Sequence, residues 1–340
     1  MCNGSFIMDK KKVTKTHWSR RRKMKKMWAI LLHLGSNMWR KPGDCNPCKV
    51  EELEYHESLY CDRETWNKVT EYLPKRGINT VVIDMGEAVK LDSHPELAIP
   101  GSWEKQEFMR ELERLRRMGL TPIPKFNFSC AHNAWMQEYG NMVGTKVYEQ
   151  VCEDIIRETI EIFGKPEFFH LGLNDENAEY QKYYPVKIVR SAPEKTQAAL
   201  RLFRVCLEEG VRPWIWVDVK TIEEYGGKKK FREYIPKEVL ISNRGRMGIR
   251  RVEGEELPST ALFHELEEWG YEQIPTCHRW NWKYNVKETM RYCKEYVPDE
   301  GIRGYLISSW LLTLPDYYYG LLFDADLFCE AKELIYPEEV

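Results

Sequence analysis

The sequence predicts a single (β/α)8 barrel, and three observations carry that reading. A polar, helix-period segment ending in Gly recurs five times just before a short apolar run. Taken together, the apolar runs give eight strands with helices between them. Within the runs, alternate residues sort into a face that stays apolar and a face that turns polar toward the carboxyl end. Gly just past a helix is the left-handed C-terminal cap, and a strand within a few residues is the connection of a parallel sheet. Eight such units in a chain of this length make a barrel. A doubly wound open sheet is the competing architecture, but no GxGxxG or GxxxxGK[ST] phosphate loop follows any strand.

The elements follow in order. Trp28–Leu34 is the first strand. Lys75-Arg76-Gly77 closes a helix before Thr80–Asp84. Glu104–Met118 places Phe108, Leu112, Leu115 and Met118 on one helical stripe, and Gly119 precedes Thr121–Phe128. Thr145 caps a helix to Phe163 that buries Tyr148, Val151, Cys152, Ile155, Ile156 and Thr159. Gly164 then leads to Phe168–Leu173. Ser191 and Pro193 start the helix Ala192–Glu209, and Gly210 leads to Pro213–Val219. Val239–Asn243 and Ile274–Trp280 are strands six and seven. Gly301 precedes the last, Gly304–Trp310.

Side-chain parity sharpens the barrel, because successive strand residues face opposite sides. Ile30, Leu32 and Leu34 oppose Leu31, His33 and Gly35. Pro122, Pro124, Phe126 and Phe128 oppose Ile123, Lys125, Asn127 and Ser129. Phe169, Leu171 and Leu173 oppose Phe168, His170, Gly172 and Asn174, and Ile215, Val217 and Val219 oppose Trp214, Trp216 and Asp218. The apolar set meets the helices. The other set forms an interior whose carboxyl end is polar.

Bulk composition is that of a soluble globular chain, 43% hydrophobic and 31% charged. The net charge of -2 is uneven: residues 1–26 carry ten Lys/Arg and one acid, leaving 41 basic and 52 acidic residues beyond them. The acidic body argues against a nucleic-acid surface, and the basic segment 1–26 reads as a disordered tail ahead of one domain, 27–340. Ser19-Arg20-Arg21-Arg22 imitates a twin-arginine signal, yet the apolar run that follows is short, contains His33 and lacks a small-residue cleavage site. No stretch approaches the ~20 apolar residues of a membrane span. Ten scattered Cys fit reduced thiols, so the expected compartment is the cytoplasm. Cys45 and Cys48 form a lone CxxC without a second metal-binding pair, which reads as ordinary loop cysteines.

Catalytic residues of parallel α/β folds sit at carboxyl strand ends. Those ends supply His33 and Asn37; Asp84; Lys125, Asn127 and His132; His170 and Asn174; Trp214, Trp216 and Asp218; His278 and Trp280; and Trp310. We take these as candidate ligand-binding residues, with the adjacent acids Asp175 and Glu176 as candidate catalytic groups. Trp39, Glu87, Ser129, Asn243, Arg244, Asn281, Ser309 and Asp316 lie at the same level. Tryptophan offers flat faces to sugar C–H bonds, and amides and carboxyls bond hydroxyls in both directions. No serine elbow or phosphate clamp is present. A buried structural network of His170, Lys125 and the acids is the plainer alternative. Metal-assisted hydrolysis through His33, His170 and Asp84 is another, although no HxH or HExxH motif supports it. No cofactor is expected.

The run His170-Leu171-Gly172-Leu173-Asn174-Asp175-Glu176 resembles the His-x-Gly-Gly-Asp-Glu signature of family-20 glycoside hydrolases, the β-N-acetylhexosaminidases. More distantly, it resembles uncharacterised bacterial barrel proteins with His-Leu-Gly-x-Asp-Glu-Glu. Lys125 and Asn127, the Trp-x-Trp-x-Asp of Trp214, Trp216 and Asp218, and Trp310 after Ser308-Ser309 extend the likeness from about Met27 to Ile335. The resemblance implies a glycosidase acting on a carbohydrate, an N-acetylhexosaminide among the options, through a carboxyl acid/base and the substrate's own acetamido group. In register, Asn174 stands where the family has Asp and Asp175 where it has the acid Glu. Asn174 lacks the charge that steadies an oxazolinium, and Asp175 is one methylene short of the acid's reach, a misplacement that can cost about 10²-fold. If extended geometry persists beyond the strand, parity turns Glu176 inward, where nearby Trp216 or Trp310 would raise its pKa as a general acid requires. The competing class is a non-catalytic sugar-binding barrel.

Overall fold

The computed structural model describes residues 25–44, 50, 53–244, 251–252, 255–279 and 284–339. Eight parallel strands form the barrel: β1 (Met27–His33), β2 (Thr80–Asp84), β3 (Thr121–Lys125), β4 (Phe168–His170), β5 (Arg212–Val217), β6 (Leu240–Asn243), β7 (Thr276–Cys277) and β8 (Gly304–Ser308). Each pairs with its sequence neighbour from β1 through β6, and β8 lies between β7 and β1. Parallel bridges Ile241–Gln273 and Arg244–Thr276 bring β6 beside β7 and complete the ring.

Helices pack outside. The principal ones are α1 (Arg63–Tyr72), α2 (Lys105–Arg117), α3 (Lys146–Ile162), α4 (Ala192–Glu208), α5 (Val219–Glu224), α6 (Lys228–Tyr234), α7 (Pro258–Glu268), α8 (Asn285–Tyr296) and α9 (Tyr318–Ile335). Their starts follow the sequence signals. The Thr145 side chain accepts from Tyr148 N, and Ser191 and Glu194 form a reciprocal capping box. Of the cap glycines, Gly77, Gly119, Gly164 and Gly210 have positive φ, whereas Gly301 ends a 3₁₀ turn. Lys26, expected in the tail, is buried and bonds Ile302 O at 3.1 Å.

Two cores follow from strand parity. Ile30, Leu32, Val81, Ile83, Phe169, Ile215 and Ile241 meet the helices, while Ala29, Leu31, Val82, Ile123, Phe168, Trp214, Leu240, Ile274 and Leu306 fill the interior. No helix of the described residues is long and apolar enough to cross a membrane. Residues 1–24, Cys45, Cys48, Trp280 and Asn281 lie outside the described residues.

Six strands, β1, β3, β4, β5, β7 and β8, end before their sequence limits. The fourth ends at His170 because Gly172, Leu173 and Asp175 adopt left-handed φ of 73°, 65° and 61°. Gly172 is required twice over: a Cβ there would lie 2.2 Å from Asn127 Oδ1 and 3.1 Å from Asn127 Cα. Gly172→Ala is expected to destabilise the fold by about 2–4 kcal/mol, from left-handed strain plus overpacking. Urea unfolding measures this, and an unchanged midpoint would mean that the turn relaxes freely.

Candidate active site

Register places four polar residues side by side on the interior face at the carboxyl end. His33 pairs with Asp84, Asp84 with Lys125, and Lys125 with His170. Lys125 Nζ donates to Asp84 Oδ2 at 2.5 Å, and His33 Nδ1 lies 3.4 Å from the same oxygen. All are buried. Burial pushes the Lys125 ammonium below its ordinary value against the opposing pull of Asp84. Burial likewise lowers His33 to about 4, and lowers His170 well below its usual value with help from Lys125 and Arg244. Both imidazoles are therefore neutral at pH 7. Gly172 N donates to His170 Nδ1 at 3.1 Å, which leaves the ring proton on Nε2.

Aromatic rings line this floor. His170 lies 4.3 Å from Trp216 and 4.9 Å from Trp214, measured between ring centroids. Trp310 links Trp216 to His33 at 6.0 and 6.1 Å, and Trp39 links His33 to His132 at 6.3 and 6.1 Å. His132 Nε2 meets the Tyr180 hydroxyl at 3.0 Å. Trp214 sits deeper than its sequence role implied: it is fully buried, and its indole N–H is spent on Ser242 Oγ at 2.7 Å. Asn37 is also turned away from ligand binding, because both ends of its amide clamp the His56 backbone at 2.7 and 2.8 Å. Glu87 caps the same loop through Ser36 N at 2.9 Å. His278 is buried beyond β7, where its backbone N–H is held by Asn285 Oδ1 at 2.8 Å.

The left-handed turn after β4 separates the two candidate acids. Asp175 faces Arg244, with Oδ2 and Oδ1 at 3.3 and 3.4 Å from the two terminal nitrogens, and it also accepts from Asn174 Nδ2. Arg244 Nη2 donates to Asp218 Oδ2 at 3.0 Å. Asp175 Oδ1 and Asp218 Oδ2 thus contact one nitrogen and are closer together than the sum of those distances. The other Asp218 oxygen caps α5 through Thr221 N at 2.8 Å.

Glu176 departs from the sequence expectation. Extended geometry does not persist beyond the strand, and Glu176 pairs with Arg190 through both oxygens. It also accepts from Cys130 N at 3.3 Å. Burial alone would push its carboxyl up, but the charges of Arg190 and then Lys195 outweigh that and hold it below the usual carboxylate range. A general acid needs the opposite shift. Sequence reasoning placed Arg244 at the mouth without its partners and missed Arg190, Tyr180 and Tyr184. The long segment between β4 and α4, rich in Tyr, was the available signal.

Several buried polar atoms at this end have no hydrogen-bond partner: Nε2 of His33 and His170, Oδ1 of Asn127 and Asn174, Nε of Arg244, Thr276 Oγ1 and Ser308 Oγ. Buried polar groups are ordinarily satisfied, so such a cluster calls for water or ligand. His33 and Asp84 do come together, but with the Lys125 ammonium rather than a third ligand. Among the described residues no three His, Cys, Asp or Glu side chains are arranged to hold a metal ion.

Comparison with solved structures finds the same fold in glycoside hydrolases. The pneumococcal enzyme StrH, described for N-glycan recognition and hydrolysis, matches with a TM-score of 0.60 at 14% identity, over 93% of this chain and 87% of that one. A family-20 exo-β-N-acetylglucosaminidase from Vibrio harveyi, in complex with N-acetylglucosamine, matches with a TM-score of 0.60 at 11% identity, over 89% of this chain and 54% of that one. A family-138 enzyme targeting pectin rhamnogalacturonan II gives 0.59 at 11% identity, over 91% and 39%. No protein-family model matches the chain. No curated protein matches it either. At these identities the likeness is one of fold: a barrel of the kind used by family-20 glycosidases.

Proposed function

We propose that the barrel mouth binds a carbohydrate and that Asp175, with Asp218 beside it, is the carboxyl that hydrolyses the glycosidic bond. The observation that carries this reading is the cluster of unpartnered donors and acceptors beneath Trp216 and Trp310. A ligand with hydroxyls on its edges and C–H bonds on its faces matches both halves of that lining. Two carboxyls close together on one guanidinium support a paired-carboxylate scheme, in which separations of about 5–5.5 Å serve retaining hydrolysis.

An N-acetylhexosaminide fits as the sugar. Asn174 Nδ2 is engaged by Asp175 while Oδ1 has no partner, so Oδ1 can accept from an acetamido N–H. A second reading, binding without turnover, is favoured by the same residue: Asn174 brings no charge to an oxazolinium, and Arg244 grips Asp175 at rest.

Chromogenic glycosides, including the β-N-acetylglucosaminide and β-N-acetylgalactosaminide, separate these readings. Hydrolysis should fall about 10²–10⁴-fold in Asp175→Asn, and should persist per folded molecule in Glu176→Gln. Sugar binding by calorimetry without hydrolysis would establish the second reading. Absence of both binding and hydrolysis would overturn the carbohydrate assignment.

A further inference from the structure

Buried guanidinium groups in this molecule meet carboxylates. Arg190 pairs with Glu176, Arg212 with Glu272, Arg244 with Asp175 and Asp218, and Arg303 with Glu167. Arg40 does not. It is only 4% exposed, yet Nε and Nη1 have no hydrogen-bond acceptor, and it forms no ion pair among the described residues. Its Cζ lies 4.6 Å from the Tyr184 ring centroid. A cation–π contact is weaker than the desolvation penalty of a buried ion. Tyr184 therefore leaves the charge under-compensated.

The position of Arg40 says what would complete it. It follows Trp39, whose ring stands between His33 and His132 at the mouth. Tyr184 donates to Ala131 O at 2.7 Å, and its phenol is pushed up by burial first and then by Tyr180, with Asp175 also acting on it and Arg40 opposing. Arg40 thus sits on a ring anchored at Ala131, the residue before His132, which itself meets Trp39. Asp44, the other acid acting on Tyr184, spends Oδ2 on Lys41 N at 3.0 Å. A sugar hydroxyl supplies an acceptor but no charge. An oxyanion supplies both the acceptor and the charge.

We infer that Arg40 reads an anionic substituent, a carboxylate or a sulfate, on the carbohydrate held at the mouth. This rests on the carbohydrate reading above. The test is calorimetry on the full chain at fixed ionic strength with four probes. These are a hyaluronan hexasaccharide, its carboxyl-reduced counterpart, a keratan sulfate tetrasaccharide and chitohexaose. One acidic probe should bind at least 10-fold tighter than the neutral ones, hyaluronan if the group is a carboxylate and keratan sulfate if it is a sulfate. In Arg40→Gln that preference should collapse to about onefold, while the unfolding midpoint stays level or rises because an unmatched buried charge is gone. Equal binding of acidic and neutral probes, or an equal loss for all probes in Arg40→Gln, would overturn the inference and leave the carbohydrate reading standing. Binding of none would overturn that reading, and this inference with it.

Discussion

Glu176→Gln is expected to lose about 3–5 kcal/mol of folding stability, because it strands the Arg190 guanidinium without its buried partner. The side chains of Glu176 and Arg190 are 0% and 9% exposed, so water cannot replace the lost contact. Urea unfolding at pH 7 would show the deficit. Its pH dependence has a definite sign. The folded-state pKa of Glu176 lies below its unfolded value. The pair therefore stabilises the fold above the ordinary glutamate pKa, and the contribution fades as pH falls through the lower folded value. The gap between wild type and Glu176→Gln should narrow toward acid. A gap that is constant with pH would mean that packing, not charge, separates the two proteins.

Asp84→Asn should be comparably costly, again about 3–5 kcal/mol, since it leaves the Lys125 ammonium unmatched at 0% exposure. The informative partner is the double variant Asp84→Asn/Lys125→Met. Replacing both charges by groups of similar volume removes the desolvation penalty along with the attraction, so most of the lost stability should return. A double variant as unstable as the single one would show that Asp84 is needed for something other than its pairing with Lys125. His33 shares that carboxylate at 3.4 Å and is the first residue to examine in that case.

The barrel was legible because alternation along a strand is a geometric consequence of extended backbone. It put His33, Lys125, His170 and Trp216 on the interior face, where register joins His33, Lys125 and His170 with Asp84 into one floor. The same rule failed immediately beyond His170. Three left-handed residues within four positions leave no alternation to extrapolate, and only at Gly172 does the residue type announce one. The partners of the acids were illegible for another reason. Arg190 lies 14 residues from Glu176 and Arg244 lies 69 from Asp175, and neither separation has a local signature. Asn37 had the right residue type at the right strand end, but its amide is used to hold the loop at His56.

The turn after β4 gives two neighbouring acids separate duties. One peptide bond divides Asp175, which shares Arg244 with the mouth, from Glu176, which ties the loop to Arg190 ahead of α4. On the proposed function, substitutions that retune ligand chemistry at Asp175 need not disturb the anchor next to it. Adjacent positions in the chain can then answer to unrelated demands, one to the chemistry proposed for the mouth and one to whether the barrel holds together.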